Sequence, residues 1–313
     1  MTKTDPHIIC LNCQSSNTIL YATAKDVEYF TTEDEFQYHL CNHCKVLFIH
    51  PVPTEKLQVI YPANYYSFTN NNKSISFAVK SWLDKLFFKK ILKKINAGKI
   101  NILDAGGGTG WLIDSIKRFE PTIAFSQIVD IDKSAEQIAI ANGHNYFLGR
   151  FEAFHSDQKF HVILLLNFIE HVADPKAVLQ KAYELLDDDG VIIIKTPNYN
   201  SWDARLFKLK NWGGYHCPRH WVIFNKQGAE NFFLENNLHI EKFAYTQGAP
   251  FWTVSILHYM QQHNWIKANA AKPLIYHPLF TPVSIVTAGF DFLRKPFAPL
   301  SQMFFVLKKY NKE

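Results

Sequence analysis

Short apolar runs alternate with stretches of helical spacing along the middle of the chain. Ile100–Leu103, Phe160–Leu166 and Val191–Lys195 are short and apolar, which is typical of strands buried on both faces. The apolar residues at helical spacing after the first two runs are Trp111, Leu112, Ile113, Ile116, and then Val178, Leu179, Ala182, Leu185 and Leu186. Because strands that alternate with helices form a parallel sheet covered on both faces, the pattern predicts a doubly wound α/β domain.

Capping signals and further apolar runs extend this prediction. Asp174 followed by Pro175 is typical of an N-cap and a first helical position, so we expect a helix to begin there. The same helix is predicted to stop near Gly190. Two more strands of the sheet are predicted over Ile123–Val129 and Asn145–Leu148.

An amphipathic stretch precedes the sheet pattern. Ser81–Ile95 carries apolar residues at helical spacing, with its lysines largely outside the apolar stripe, and predicts a helix. A basic amphipathic helix can lie on an anionic membrane, but a surface helix that covers a sheet is the more common case. We therefore expect residues 61–98 to form a linker and a covering helix.

The composition is that of a folded protein. The 313 residues are 47% apolar and 15% aromatic, which is enough to bury a core and excludes a disordered chain. No run of 18 uncharged apolar residues occurs, and the first ten residues contain no apolar segment typical of a secretory signal. We expect a cytoplasmic protein with reduced thiols. The net charge of +5 permits an acidic partner without requiring one.

Four of the five cysteines form two pairs with identical spacing. Cys10 and Cys13 enclose two residues, as do Cys41 and Cys44. Each pair lets two thiolates of one tight turn point at a single centre, and two such turns supply the four sulfurs that structural zinc prefers. The alternative is four buried or redox-active cysteines. We expect a zinc ribbon over residues 1–60, without a catalytic role because a closed site leaves no coordination position open.

A glycine loop follows the first predicted strand. The sequence Asp104-Ala-Gly-Gly-Gly-Thr-Gly110 connects Ile100–Leu103 to the next helix. Glycines allow a sharp turn and a close approach of a ligand, and the new helix offers unpaired N–H groups to an anion. Asp130, at the end of the second strand, can accept hydrogen bonds from both hydroxyls of a ribose. These features fit NAD, FAD or S-adenosylmethionine.

Five motifs in a fixed order resemble class I S-adenosylmethionine-dependent methyltransferases. They are LDAGGGTG, VDID, NFIEHVADP, a strand that ends in TPN, and PRHW-x2-F. The doubled C-x2-C upstream, with P-x-P and YPANYY, resembles the branch of this family that has an N-terminal zinc-binding region and includes sugar C-methyltransferases. The resemblance covers most of residues 8–245.

The resemblance implies an architecture for residues 99–313. It is a Rossmann-like sheet, mostly parallel, with an antiparallel final strand at Ser301–Leu307 and a hairpin partner at His239–Tyr245. Residues from about 255 to 299 are then an insertion, which either forms a lid over the acceptor or contacts a bilayer surface.

The resemblance also implies a set of cofactor-binding residues. The glycine loop would hold the methionine part of S-adenosylmethionine, and Asp130 would bind the ribose hydroxyls. Ile131 would flank the adenine, Glu152 would contact its edge, and Asn167 would line the pocket beside the sulfonium. The loop residues implied in this way are Asp104, Gly106, Gly108 and Gly110.

Methyl transfer requires alignment of donor and acceptor, and often the removal of a proton. His171 and His220 are the candidate bases, because the unperturbed pKa of histidine lies near neutral pH. Each of them can instead serve to hold its own loop in place. His216 and Cys217 rank lower, since loop packing explains them equally well.

Glu170 is a further catalytic candidate beside His171. The resemblance to ubiquinone-type O-methyltransferases implies a divalent ion held by E-x2-E-H, but here Asn167 stands at the first of these positions, which weakens a metal-dependent mechanism. Tyr65 and Tyr66 either close over the cofactor or belong to the core.

Three function classes remain open. The first is a methyltransferase that acts on a carbon or oxygen of a sugar, a nucleotide-sugar or a related polar metabolite, and this is the function we predict. The second is an RNA methyltransferase, which is opposed by the lack of N-P-P-Y after the fourth strand. The third is a non-catalytic cofactor-binding module, which the intact glycine loop opposes. A small-molecule acceptor is expected, a nucleic acid is not, and peripheral membrane contact stays open; the sequence does not indicate an oligomeric state.

Overall fold

Strands and helices alternate through most of the chain, as the apolar pattern predicts. The computed structural model describes residues 8–62, 65, 85, 87–95 and 97–310. Its strands are β1 (Thr18–Ala24), β2 (Phe36–Cys41), β3 (Leu47–His50), β4 (Ile100–Ala105), β5 (Ile123–Asp130), β6 (Asn145–Leu148), β7 (Phe160–Leu166), β8 (Leu186–Pro197), β9 (Val222–Ile223), β10 (Leu238–Thr246) and β11 (Gln302–Lys309). Its named α-helices are α1 (Leu57–Ile60), α2 (Trp111–Lys117), α3 (Lys133–Ala141), α4 (Pro175–Leu185), α5 (Trp202–Leu206), α6 (Lys226–Glu235), α7 (Ala249–Gln262) and α8 (Phe280–Arg294).

The larger sheet has seven strands in the order β10-β11-β8-β7-β4-β5-β6. In the part β8-β7-β4-β5-β6, each strand pairs in parallel with its neighbours. By contrast, β11 pairs antiparallel with both β8 and β10. The predicted Rossmann-like sheet, mostly parallel with an antiparallel final strand, is therefore confirmed.

The strand order reverses at the centre of this sheet. β4 pairs with β5 on one side and with β7 on the other, so the chain winds toward both edges from β4. In open α/β sheets, ligands bind beyond the carboxyl ends of the strands at such a reversal. The segments after β4, β5 and β7 are therefore where a cofactor site belongs.

The smaller sheet joins the N-terminal region to a distant part of the chain. Its order is β1-β2-β3-β9, and every pairing is antiparallel. β9 comes from residues that follow the large sheet's β8, and it pairs with β3 through Phe48 and Val222. One buried cluster extends from Tyr38 in the small sheet to Ile194 in the large one. The two sheets are thus packed together around a shared core.

One predicted boundary is wrong. The helix after β7 was expected to include Leu186 and to stop near Gly190, but α4 ends at Leu185 and Leu186 already pairs with Phe160 in the sheet. Apolar residues continue across the junction, so periodicity alone does not locate it. The predicted start is confirmed, because the Asp174 side chain accepts a hydrogen bond from the Ala177 N–H at 2.9 Å.

The described part of the predicted covering helix packs on the large sheet. Residues 87–92 are helical, while residues 81–84 and 86 lie outside the described residues. Phe88, Ile91 and Leu92 are buried in a cluster that includes Ile102 and other sheet residues. Their contacts are those of a helix that covers a sheet.

Candidate cofactor and acceptor site

The glycine loop turns sharply after β4 because three of its residues have positive φ angles. Gly106, Gly108 and Gly110 have φ values of 74°, 52° and 80°, a region that favours glycine. A Cβ atom at Gly106 would lie 2.9 Å from the Phe168 ring, and one at Gly110 would lie 2.6 Å from the His144 ring. Glycine is therefore needed at both positions for conformation and for space.

Asp130 lies directly beside this loop. Its carboxylate accepts hydrogen bonds from the backbone N–H of Gly108 at 2.8 Å and of Asp132 at 3.0 Å. Burial raises the pKa of Asp130, since the charged form loses solvation. This acidic side chain thus stands at the tip of β5, next to the glycine loop after β4.

Asp104 is buried beneath the loop near the end of β4. A Cβ atom at Gly107 would lie 2.8 Å from the Asp104 carboxyl group, so the loop covers this side chain closely. Burial raises the pKa of Asp104 to about 8, and the nearby charge of Asp130 adds to the shift. The carboxyl group is thus mostly protonated at neutral pH, and a cation beside it would favour ionisation.

The other three residues expected to bind the cofactor surround the same end of the sheet. Ile131 is 62% exposed. Glu152 is half-buried in a single turn, Phe151–Ala153. Asn167 follows β7 with a φ of 51°, and its side-chain oxygen accepts a hydrogen bond from Gln302 at 3.2 Å.

Three histidines meet beside the loop that follows β7. The ring centres of His171 and His220 are 4.7 Å apart, and His216 lies 6.1 Å and 4.9 Å from them. The structure therefore brings together the two predicted bases and a third histidine that ranked lower in the sequence.

Burial makes both predicted bases neutral. The pKa of His171 is lowered to about 3, first by burial and then by His216. The pKa of His220 is lowered well below its usual value, first by burial and then by His171 and His216. His171 Nδ1 donates to the Arg219 carbonyl at 3.0 Å, and His220 Nδ1 donates to the Gly214 carbonyl at 2.9 Å. With Nδ1 protonated on each ring, Nε2 is the nitrogen that can accept a proton or bind a cation.

Glu170 completes this group of side chains. It is fully buried, and neither carboxyl oxygen has a hydrogen-bond partner among the described residues. Burial raises the pKa of Glu170 to about 8. One carboxyl oxygen and one nitrogen each from His171 and His220 all lie within 4.8 Å of one another.

The N-terminal region contributes partners that the sequence does not reveal. The Glu28 carboxylate accepts a hydrogen bond from His216 Nδ1, and the Tyr65 hydroxyl lies 2.9 Å from His216 Nε2. The Tyr61 hydroxyl lies 3.1 Å from His171 Nδ1. Tyr66, the other tyrosine considered from the sequence, lies outside the described residues.

A buried ion pair fixes the segment that carries two of the histidines. Arg219 donates to Asp26 at 2.8 Å, and both side chains are fully buried. Arg219 also donates to the Ile60 carbonyl at 2.6 Å. Burial alone would raise the pKa of Asp26, but the Arg219 charge holds it below the usual value. The only sequence signal for this pair is Arg219 within PRHW.

The four paired cysteines converge on one point. The sulfur atoms of Cys10 and Cys44 are 3.6 Å apart, those of Cys13 and Cys41 are 3.5 Å apart, and all four lie within 4.8 Å of one another. Tetrahedral zinc with Zn–S distances of about 2.3 Å requires sulfurs about 3.8 Å apart. The cluster is therefore compatible with a structural zinc ion.

Comparison with protein families identifies a domain in the chain. A family model described as a methyltransferase domain matches residues 78–242, which is more than half of the chain.

Named relatives match part of the chain. The ubiquinone biosynthesis O-methyltransferase of Bradyrhizobium diazoefficiens is 26% identical over 188 residues, covering 54% of this chain and 71% of the relative. The mitochondrial enzyme of the same description from Dictyostelium discoideum is 26% identical over 197 residues, covering 52% of this chain and 59% of the relative. The chain thus spans between half and three quarters of these relatives.

Solved structures share the fold. The plantazolicin methyltransferase BamL, crystallised with a desmethylPZN analog and S-adenosylhomocysteine, aligns with a TM-score of 0.51 and 14% identity. The alignment covers 77% of this chain and 88% of BamL. The [4+2]-cyclase SpnF aligns with a TM-score of 0.50 and 11% identity, over 77% of this chain and 84% of the cyclase. At such identities the likeness concerns the fold alone.

Proposed function

Because the chain belongs to the family defined by this methyltransferase domain, and is a class I S-adenosylmethionine-dependent methyltransferase, we propose that it methylates a carbon or oxygen of a small polar acceptor. Sugars and nucleotide-sugars are the acceptor class we favour. The observation that carries the proposal is the position of the His171, His220 and Glu170 group. Glu170 and His171 lie on the loop after β7, whose Phe168 ring lies against Gly106, and His220 lies in the segment before β9.

We propose that residues at or just beyond the ends of β4, β5, β6 and β7 bind the parts of S-adenosylmethionine. When bound, S-adenosylmethionine supplies a methyl group that is already activated on a sulfonium. The glycine loop would receive the methionine part, and Asp130 would accept hydrogen bonds from the ribose hydroxyls. Ile131 and Glu152 would contact the adenine, and Asn167 would line the pocket near the sulfur. The close contacts of Gly106 and Gly110 support this arrangement.

We assign the removal of the acceptor's proton to His171 or His220. Both imidazoles are neutral at physiological pH because burial disfavours their charged forms, so their Nε2 lone pairs are available. Glu170, within 4.8 Å of both, holds a proton at neutral pH because burial raises its pKa to about 8; once ionised, it would stabilise the imidazolium that forms as the proton arrives. The acceptor atom would then attack the methyl carbon from the side opposite the sulfur, which leaves with the bonding electron pair.

A second candidate acceptor is an aromatic hydroxyl. The relatives named above are O-methyltransferases, and the histidine group is surrounded by aromatic rings. Tyr61 lies 6.4 Å from His171, and Phe251 lies 6.2 Å from His220, measured between ring centres. Flat apolar walls suit a planar acceptor as well as a sugar face.

A metal-assisted form of the reaction is also supported by one observation. A fully buried carboxyl group without a hydrogen-bond partner is costly, and a divalent cation held by Glu170, His171 and His220 would ionise it and offset that cost. The Nδ1 hydrogen bonds to backbone carbonyls are those usual for metal-binding histidines. His220 would then replace the carboxylate that the sequence lacks at Asn167.

The acceptor is tested by screening with radiolabelled S-adenosylmethionine. Sugar nucleotides and catechols are offered separately to the wild-type protein and to the His171→Ala and His220→Ala variants. We expect label transfer to one class, with turnover lowered about 100-fold or more in one of the two variants and cofactor affinity nearly unchanged. The exposed His263 supplies a matched control, since His263→Ala should behave like the wild type. Full turnover in both histidine variants would refute the proposed base.

The metal-assisted form is tested with cobalt. In protein depleted of metal and reloaded with Co²⁺, thiolate ligands give intense charge-transfer bands, whereas histidine and carboxylate ligands do not. A second cobalt ion per chain that disappears in Glu170→Gln, with the thiolate bands unchanged, supports the metal site. A single ion, bound only through thiolates, excludes it.

A further inference from the structure

Helix α8 buries polar residues and exposes apolar ones, the reverse of an ordinary surface helix. Its buried residues are Thr287, Asp291 and Arg294, all of them polar or charged. Its large apolar side chains point outward instead, together with Phe297 just beyond its end. The outward residues, with their exposed fractions, are Ile285 (64%), Val286 (72%), Phe290 (43%), Phe292 (77%), Leu293 (72%) and Phe297 (86%). A helix normally buries its apolar stripe, so this inversion calls for a partner outside the fold.

The inward polar groups hold the helix in this orientation. The Asp291 carboxylate accepts hydrogen bonds from the Gly248 N–H at 2.9 Å and from Trp252 Nε1 at 3.2 Å. Arg294 donates to Asp291 at 2.9 Å and to the Pro299 carbonyl at 3.1 Å. A rotation that buried the apolar side would break these bonds and leave charges unpaired. The outward apolar side is therefore a fixed property of the fold.

The exposed apolar surface continues onto α5. The Trp202 ring lies 6.4 Å from that of Phe290, and Trp202 is 47% exposed. Leu206, one turn further along α5, is 61% exposed. We call these two residues and the six exposed apolar residues of the α8 segment the α8 face. A single exposed leucine needs no explanation, but a continuous group of large side chains does.

The exposed charges on the segments that form the α8 face are basic, because Asp203 on α5 and Asp291 on α8 are both buried. Asp291 is the one acidic residue between Glu241 and Glu313, and it is buried beside Arg294. No acidic residue occurs from position 204 to position 229. The exposed or half-buried basic residues near the face in sequence are Arg205, Lys208, Lys210 and Lys295. Large apolar side chains bordered by lysine and arginine are typical of a surface that lies on anionic lipid.

We propose that the α8 face docks this protein onto the surface of an anionic lipid bilayer. The apolar side chains enter the boundary between headgroups and acyl chains, and the lysines and arginines pair with lipid phosphates. A second copy of the chain is a poorer occupant, because it brings like-charged borders together. Within the described residues, no helix has the length and apolarity needed to span a bilayer, so the contact is peripheral.

Docking through the α8 face would place the membrane surface close to the histidine group. α7 packs against α8 on one side. On its other side, Ser255 accepts a hydrogen bond from the Gly213 N–H at 2.8 Å, and Phe251 lies beside His220. A single helix therefore separates the docking face from the loop that carries His216 and His220. Attachment through the α8 face does not depend on which acceptor the protein methylates.

The test is vesicle sedimentation with the full chain. Vesicles of phosphatidylglycerol mixed with phosphatidylcholine are compared with vesicles of phosphatidylcholine alone. We expect binding to the anionic vesicles only, weakened by high salt. The double variant Phe292→Glu/Phe297→Glu should lower the partition coefficient roughly tenfold or more, because two large apolar side chains no longer enter the bilayer. Lys295→Glu should weaken binding less and reduce its dependence on salt.

Leu234→Glu is the matched control, because Leu234 is 63% exposed on α6 outside the face. This variant should bind vesicles like the wild type. Each variant should keep the wild-type melting temperature and affinity for S-adenosylhomocysteine, since the substituted side chains are exposed. Failure of the wild type to bind anionic vesicles would overturn the proposal, as would equal binding by the double variant. A dimer in light scattering that the double variant dissociates, without vesicle binding, would assign the face to a second copy.

Discussion

At the scale of single residues, we predict that the buried carboxyl group of Asp104 makes cofactor binding depend on pH. Its pKa of about 8 means that it holds a proton at neutral pH, which a positively charged cofactor beside it would displace. Because the cationic ligand binds the ionised form better, its affinity should rise with pH up to about 8. The rise should approach tenfold per pH unit if only the ionised form binds.

Calorimetric titration with S-adenosylmethionine between pH 6 and about 9 measures this effect. Binding should release protons, which appears as a dependence of the measured enthalpy on the buffer. Asp104→Asn should bind with little dependence on pH, because the group that titrates is gone. Equal pH dependence in the variant and the wild type would show that another group is responsible.

The residues proposed to bind the cofactor can be named from the sequence because their signals are local. Three glycines with positive φ and an aspartate at the tip of the next strand lie within 27 consecutive residues, 104–130. The partners of the histidines cannot be found in this way. Glu28 is 188 positions from His216, and Asp26 is 193 positions from Arg219. Their proximity depends on how the small sheet packs on the large one.

At the scale of elements, the segment from Trp212 to Trp221 depends on the N-terminal region for its position. Arg219 is fully buried, and Asp26 is its only ion-pair partner among the described residues. Asp26→Asn would leave this cation without a counter-charge. We expect it to lower the free energy of unfolding by about 3–5 kcal/mol, measured by urea denaturation.

A double variant distinguishes the cost of an unpaired buried charge from the cost of changing the side-chain packing. Asp26→Asn combined with Arg219→Met removes both charges, and replacing a buried pair by uncharged groups is often close to neutral. The double variant should therefore be more stable than Asp26→Asn alone. If the single variant were as stable as the wild type, the ion pair would not hold the segment.

The orientation of an element is harder to predict than its existence. The antiparallel pairing of β10 with β11 agrees with the resemblance, because a sheet of this type has one arrangement of its last strands. Residues from about 255 to 299 are expected only as an insertion, and Phe280–Arg294 within it forms α8. Periodicity does not say which side is buried, and here hydrogen bonds of Asp291 with Gly248 and Trp252 turn the apolar side outward.

At the scale of the whole molecule, we expect the cysteine cluster to stabilise the candidate acceptor site as well as the N-terminal region that contains the cysteines. Gln14 and Lys45 follow the two pairs with φ values of 59° and 60°, and their N–H groups donate to Cys10 and Cys41. The first of these turns precedes β1 and the second connects β2 to β3, so both belong to the sheet whose fourth strand is β9. Since β9 directly follows the histidine segment, loss of the cluster should reach the candidate acceptor site.

Cys10→Ser combined with Cys41→Ser tests this coupling. We expect the variant to lose one zinc ion per chain and at least about 3 kcal/mol of unfolding free energy, because structural zinc binding contributes directly to folding. Turnover should fall further than affinity for S-adenosylhomocysteine, since the glycine loop is held on the large sheet, where the Gly106 N–H donates to the Val129 carbonyl. Zinc analysis, urea denaturation and calorimetry on one preparation measure all three. Full zinc retention would refute the cluster, and equal losses of turnover and affinity would show that zinc supports both sites alike.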